Sequence, residues 1–195
     1  MKRIVISSCI PFLFLTGCME QEVTKKDVEI HNDVGDTVGT VTVEEESDGV
    51  KLDFKMDGLP PGEHSVHIHE KGNCDFPDFK TAGNHFNPDK KPHGLLHPEG
   101  AHAGDLPNMI VEDDGTFAGS LTAPGVTMKE GKMTLMKRME GSSIVITEKK
   151  DDGMTQPSGD SGKRIACGII SKNKEEEKKE GKSGKEGQNK PGKEE

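Results

Sequence analysis

The strictest constraint on what this chain can fold into is alternation. In Val50-Lys-Leu-Asp-Phe-Lys-Met56 every second residue is apolar. Side chains two apart leave the same face of a strand, so this run predicts a strand with one face buried. The same period appears at Val28 and Ile30, and again with Val38, Val41 and Val43 around Gly-Thr-Val-Thr-Val-Glu. Turn residues separate the runs at Asp33-Val-Gly35, Ser47-Asp-Gly49 and Asp57-Gly-Leu-Pro-Pro-Gly62. His64–His69 fits as a fourth strand. Further strand signals fall at Leu106–Val111, Thr116–Leu121, Met133–Met136, Ser142–Thr147 and Arg164–Ile170. Short alternating strands joined by Gly/Asp turns predict an all-β antiparallel sandwich or barrel.

The ends of the chain are different. Lys2-Arg3 followed by the apolar run Ile4–Leu15 has the pattern of a signal peptide, and about twelve apolar residues are too few to span a bilayer. Leu15-Thr-Gly-Cys18 resembles the bacterial lipoprotein signal, which implies that Cys18 is lipidated and becomes the mature N-terminus. Met19–Asp27 is polar and aperiodic, as a tether is. Lys172–Glu195 is mostly Lys, Glu and Gly, with too few apolar residues to offset the entropy of ordering. The expected organisation is a signal at 1–17, a lipidated cysteine and tether at 18–27, one domain at 28–171 and a disordered tail at 172–195. The expected location is extracytoplasmic, on a bacterial envelope, anchored to the membrane by lipid. A net charge of −9 and the lack of Trp and Tyr argue against a nucleic-acid partner.

Between Glu70 and His102 periodicity fades and Gly, Pro, Asn and Asp accumulate. A structureless loop of this length is out of place in a compact domain unless it is functional or stapled. Its histidines suggest the staple. His67 and His69 alternate on a strand and leave one face, so both can reach one ion. His85, His93 and His102 follow at intervals of eight and nine, with Asp105 three residues later. Imidazole is the commonest neutral metal ligand, and three nitrogens with one carboxylate oxygen suit a closed zinc site. Of four cysteines, Cys9 lies in the apolar leader and Cys18 just after it, which leaves Cys74 and Cys167 as the one pair within the domain.

Four segments now carry a family resemblance: Gly58-Leu-Pro-Pro-Gly-Glu-His-Ser-Val-His-Ile-His-Glu70, Ala82-Gly-Asn-His-Phe-Asn-Pro88, His102-Ala-Gly-Asp-Leu106 and Gly162-Lys-Arg-Ile-Ala-Cys-Gly168. In this order they resemble the Cu/Zn superoxide dismutases, over roughly Val28 to Ile170. The resemblance implies an eight-stranded antiparallel Greek-key β-barrel with long metal-binding and electrostatic loops. It implies copper ligands at His67, His69 and His85, and zinc ligands at His85, His93, His102 and Asp105, with His85 bridging the two ions. It further implies a disulfide between Cys74 and Cys167, a structural role for His64, and Asp151 linking a copper histidine to a zinc histidine. Arg164 matches the arginine that attracts and orients the superoxide anion, supported by Lys149 and Lys163. A homodimer is left open.

One position departs from the pattern. The family's fourth copper ligand is a histidine in a segment resembling Val145-Ile-Thr-Glu-Lys-Lys-Asp-Asp152, and here that place is held by Thr147. A hydroxyl is a poor ligand for Cu(II) and a worse one for Cu(I). In the family the bridge opens when copper is reduced and three histidines stay; here only His67 and His69 would stay. His97, in the same loop, is a candidate substitute whose reach the sequence does not show. Two readings result. The first is a dismutase that converts superoxide to oxygen and hydrogen peroxide with weakened copper binding. The alternative is a non-catalytic zinc-binding or copper-handling envelope lipoprotein.

Overall fold

The computed structural model describes residues 24–136 and 141–171. The signal, Cys18 and the charged tail of the sequence reading lie outside the described residues. Among the described residues nine strands follow in order: β1 (Lys25–Asn32), β2 (Thr37–Glu45), β3 (Gly49–Asp57), β4 (Gly62–His64), β5 (Val66–His69), β6 (Met109–Val111), β7 (Thr116–Pro124), β8 (Ser142–Thr147) and β9 (Arg164–Ile170). Seven form one sheet in the order β5-β8-β9-β1-β2-β3-β7, and β4 pairs with β6. Every strand pair is antiparallel.

The short β4-β6 ribbon closes the sheet on itself. One residue, Ser65, separates β4 from the edge strand β5, and a tight turn at Glu112–Gly115 joins β6 to the other edge strand β7. The two free edges are therefore drawn together around a core that includes Val41, Val43, Leu52, Phe54, Ile68, Ile144 and Ile146, all buried. The alternation of Val50–Met56 is realised as read: its four apolar residues are buried and the residues between them face out. The result is the all-β Greek-key barrel expected from the sequence.

Four details differ, the first being that the strand read at His64–His69 is divided at Ser65 into β4 and β5. β1 begins at Lys25, where Lys25 pairs with Glu44 across the strands, so the last residues assigned to the tether belong to the sheet. Met133–Met136 is not a strand. Leu135 and Met136 are buried in the core as anchors of a loop that folds back on Thr127, which exchanges backbone hydrogen bonds with Met133 and Leu135. The strand predicted at Leu106–Val111 starts only at Met109, since Pro107 has no N–H to give a ladder.

The outer face of β8 is what the site is built on. All six of its residues are buried, although only one face can meet the barrel core. The other face is covered by the loop that follows β5: Val145 packs with Phe79, Ala82 and the Cys74–Cys167 disulfide. A single row across the sheet runs His31, Cys167, Val145 and His67. The disulfide and the first copper-side histidine thus share one face. The bridge closes a 93-residue separation, which in the chain-entropy account stabilises by about 4–5 kcal/mol. Replacing Cys74 and Cys167 together by Ala should therefore lower the free energy of unfolding by roughly 2–5 kcal/mol, read from the denaturant midpoint at unchanged slope.

Candidate metal centre

The outer edge of β5 would be an unpaired strand edge if nothing covered it. Two loop segments do. His69 bridges to His85 and His67 bridges to Asp105 in antiparallel fashion. The bridge is made by Phe86 N–H to Ile68 O at 2.8 Å, Ile68 N–H to Gly104 O at 2.8 Å and Gly104 N–H to Phe86 O at 2.9 Å. A Cβ on Gly104 would lie 2.3 Å from Ile68 O, so only glycine allows this approach. Backbone pairing thus brings His85 and Asp105 beside His67 and His69.

Around Asp105 the side chains converge. His85 Nδ1 lies 2.8 Å and His102 Nδ1 3.3 Å from Asp105 Oδ1, and His93 Nδ1 lies 2.9 Å from Oδ2. His85 Nδ1 and His102 Nδ1 are 3.3 Å apart. A tetrahedral zinc with bonds of about 2.0–2.1 Å sets its ligand atoms about 3.3 Å from one another, so this spacing suits the ion. His93 Nδ1 is fully buried yet has no aligned hydrogen-bond partner, close as it is to the carboxylate. A buried, unpartnered ring nitrogen of that kind fits a metal ligand once its proton is lost. Asp105 itself is fixed by the N–H groups of Gly94 and His102, at 2.9 and 3.0 Å.

The second half adjoins the first. The donor atoms of His67, His85, His93 and Asp105 fall within 4.8 Å of one another. The His67 ring stacks on His85 with centroids 3.9 Å apart, and His69 meets His85 edge-on at 5.0 Å. Asp151 accepts from His67 Nε2 at 2.8 Å and lies 3.0 Å from His93 Nε2, which leaves Nδ1 of each ring for an ion. His69 Nδ1 donates to Gly83 O at 3.0 Å, which leaves its Nε2. Every ligand candidate from the sequence, with Asp151, is brought into one cluster. His97 is not; it sits in a turn where its Nδ1 accepts the N–H of Glu99.

Charge follows the same plan. Burial pulls His69 well below its ordinary pKa, and it pulls His85 down to about 4 against the raising effect of Asp105. Burial also lowers His93, but Asp105 and Asp151 outweigh it and hold the ring at about 9. Both carboxylates are held well below the usual range, despite their burial, by the histidines and N–H groups around them. They are anionic at any working pH.

Two supports were not legible as such. Gln156 brackets the backbone of His93, accepting its N–H at 2.9 Å and donating to its O at 2.8 Å. Asn108 brackets Asp151 in the same way, at 2.9 Å each. A third is Ser65, whose hydroxyl touches both His67 Nδ1 and Thr147 Oγ1. The period of two that joins His67 to His69 also puts Ser65 on their face, and that signal could have found it.

A cleft of about 570 Å³ opens onto the cluster, lined by His85, His102, Arg164, Glu70, Asn84 and Pro157 among others. Arg164 donates to Phe79 O and Gly83 O at 2.7 Å each, so the guanidinium is fixed at the wall. Burial lowers its pKa somewhat below the ordinary value, and Asp78 works against that. Thr147 occupies the face shared by His67, where the resemblance expects histidine. Its carbonyl is 2.8 Å from Nδ1 of the buried His64, whose Nε2 lies 2.7 Å from Pro60 O.

Comparison with known proteins agrees with this geometry. The family described as copper/zinc superoxide dismutase (SODC) matches residues 37–170. The Cu-Zn superoxide dismutase 1 of Aquifex aeolicus is 44% identical over 147 residues, covering 75% of this chain and 87% of that protein. A superoxide dismutase-like protein of Bacillus subtilis is 41% identical over 152 residues, covering 77% and 78%. The crystal structure of a double mutant of a SOD-like protein from Bacillus subtilis superposes with a TM-score of 0.71 at 42% identity, covering 74% of this chain and 96% of that one. With the barrel, the disulfide and the histidine cluster in place, the chain belongs to the copper/zinc superoxide dismutase family.

Proposed function

We propose that this protein is a superoxide dismutase of the Cu/Zn type with a complete zinc half and a copper half weakened by Thr147. The observation that carries the reading is the placement of His85. Its ring stacks on the copper-side His67 while its Nδ1 faces Asp105 and His102. Zinc would be held by Nδ1 of His85, His93 and His102 with Asp105. Copper would be held by His67 Nδ1, His69 Nε2 and His85 Nε2, and would supply the one-electron couple that turns superoxide into oxygen and hydrogen peroxide.

The chain's own residues prepare that chemistry. Asp151 sets the tautomers of His67 and His93 together, so one carboxylate aligns a ligand in each half. The Gly83 carbonyl accepts from both His69 and Arg164, which ties the ligand ring to the cation at the cleft wall. For a protein of net charge −9 the anion must be drawn by local positive potential, and Arg164 supplies it with Lys163 beside it in sequence and Lys149 on the segment paired with Ser161–Lys163. Such steering is proposed by analogy with the family. Thr147 favours the alternative reading, a zinc protein that handles copper without turnover, because a neutral hydroxyl replaces an imidazole.

One zinc and one copper per chain, with rapid superoxide decay abolished by chelating copper, supports the enzyme; zinc alone, with no decay after copper addition, would sink it. Thr147→His should raise both copper affinity and dismutation, on the order of tenfold or more. His64 already holds the backbone where the new ring must start.

Zinc uptake should depend on pH in a set direction. His93 keeps a proton up to about 9 in the metal-free protein and must lose it to bind. Apparent zinc affinity should therefore climb roughly tenfold per unit between neutrality and pH 9, with proton release visible by calorimetry in buffers of different ionisation enthalpy. A flat profile would contradict this account of the site.

We also propose that the chain works outside the cytoplasm, held by lipid at Cys18. A disulfide inside the domain supports an oxidising compartment. Cys18→Ala should abolish labelling by fatty acid and release the protein from the membrane fraction.

A further inference from the structure

The family pattern leaves the place of the fourth copper ligand to Thr147, but the hydroxyl in contact with the copper-side nitrogen is a different one. Ser65 Oγ lies 3.3 Å from His67 Nδ1. It also contacts Thr147 Oγ1, and Thr147 Oγ1 in turn reaches Lys149 O at 3.1 Å. Ser65 and Thr147 are both buried. The backbone makes the arrangement rigid: Ser65 N–H donates to Lys149 O at 2.9 Å and Thr147 N–H donates to Ser65 O at 3.1 Å. Ser65 is the residue at which the chain leaves β4 and enters β5.

The four atoms His67 Nδ1, Ser65 Oγ, Thr147 Oγ1 and Lys149 O form a row with two hydroxyl protons to distribute. Asp151 fixes a proton on His67 Nε2, so Nδ1 is a lone pair in the neutral ring. At the far end Lys149 O is also an acceptor. Both protons can point toward His67, with Thr147 donating to Ser65 and Ser65 to Nδ1. They can equally point the other way, with Ser65 donating to Thr147 and Thr147 to Lys149 O. The carbonyl is never orphaned, because Ser65 N–H holds it in either state. Only the second state frees Nδ1 and turns a Ser65 lone pair to the space that Nδ1 faces. The spacing of 3.3 Å between the two donors is that of neighbouring ligands on one ion with bonds of about 2 Å.

We propose that Ser65, rather than Thr147, supplies the fourth, oxygen donor of the copper subsite, and that Thr147 is a positioning residue whose hydroxyl accepts the hydrogen bond from the serine O–H. The inference rests on the copper reading above. Its chemistry is asymmetric, since a neutral hydroxyl suits Cu(II) better than Cu(I).

The test is Cu(II) titration of the zinc-loaded full chain against a competing chelator, with the Cu(II) electron paramagnetic resonance spectrum recorded in parallel. Ser65→Ala should lower Cu(II) affinity about tenfold and change the copper hyperfine splitting, while zinc content and the thermal midpoint of the zinc form stay put. Thr147→Val should lower affinity less and Thr147→Ser should restore it, because a hydroxyl acceptor returns. Ser65→Cys provides a second route should the alanine variant fold poorly: with Co(II) added to the zinc-loaded protein it should show a thiolate-to-metal absorption band that the native chain lacks. An unchanged affinity and spectrum in Ser65→Ala, or a rise in affinity, would overturn the inference and leave the copper reading intact; a missing band in Ser65→Cys would count against it in the same way. A native chain that takes up zinc but no Cu(II) would overturn both.

Discussion

The site depends on one backbone interaction, the docking of loop strands on the outer edge of β5. An open strand edge leaves N–H and C=O groups unpaired and invites the wrong partner. Here the edge is filled by Phe86 on one side and Gly104 on the other, and the residues adjoining them are His85 and Asp105. The pairing that satisfies Ile68 therefore also delivers two ligand candidates to the face where His67 and His69 already stand. Ligand placement is a by-product of strand completion. The disulfide serves the same end from the other side of β8, pinning the start of the loop over Val145.

Electrostatics alone would push this assembly apart. Five imidazoles and two carboxylates share a space with little water, and buried charge is costly unless paired. Asp105 and Asp151 are each surrounded by donors, which keeps both ionised and lets them hold the histidines in fixed tautomers. They divide the histidines unequally. His93, between both carboxylates, keeps a proton to about 9, whereas His85, shared by the two halves, has lost its extra proton above about 4 and is neutral throughout the physiological range. The shared ring is thus ready to use both nitrogens as soon as a metal replaces its proton.

Much of this was legible in the sequence, because period-two patterning and ligand chemistry are local. Val50–Met56 could hardly be anything but a half-buried strand, and the ligand candidates follow from residue type and spacing. What escaped depends on long-range closure. Leu135 and Met136 look like part of a strand because they are apolar, yet they anchor a loop to the core without joining the sheet. His64–His69 reads as one strand but serves two partners, β6 before Ser65 and β8 after it. Gln156 and Asn108 carry no signal in sequence, since an amide that brackets a distant backbone looks like any loop amide.

The two halves of the centre differ in what holds them. The zinc-side donors are fixed mainly by backbone and amide contacts within and between loops: Gln156 on His93, and Gly94 and His102 N–H on Asp105. None of these involves residue 147. The copper-side donors His67 and His69 instead stand on β5, and the place beside His67 is filled by Thr147 of the neighbouring strand β8. A substitution at 147 can therefore alter one half without loosening the other, apart from the ring of His85 that they share. This separation gives a physical reason why a chain can keep the whole barrel, disulfide and zinc-side geometry of its family while carrying a threonine at a redox ligand's place. The backbone at that place is kept as well, since His64 grips the Thr147 carbonyl whatever the side chain is. A change at 147 thus acts first on the copper half, through the contacts its buried hydroxyl makes with Ser65 and Lys149.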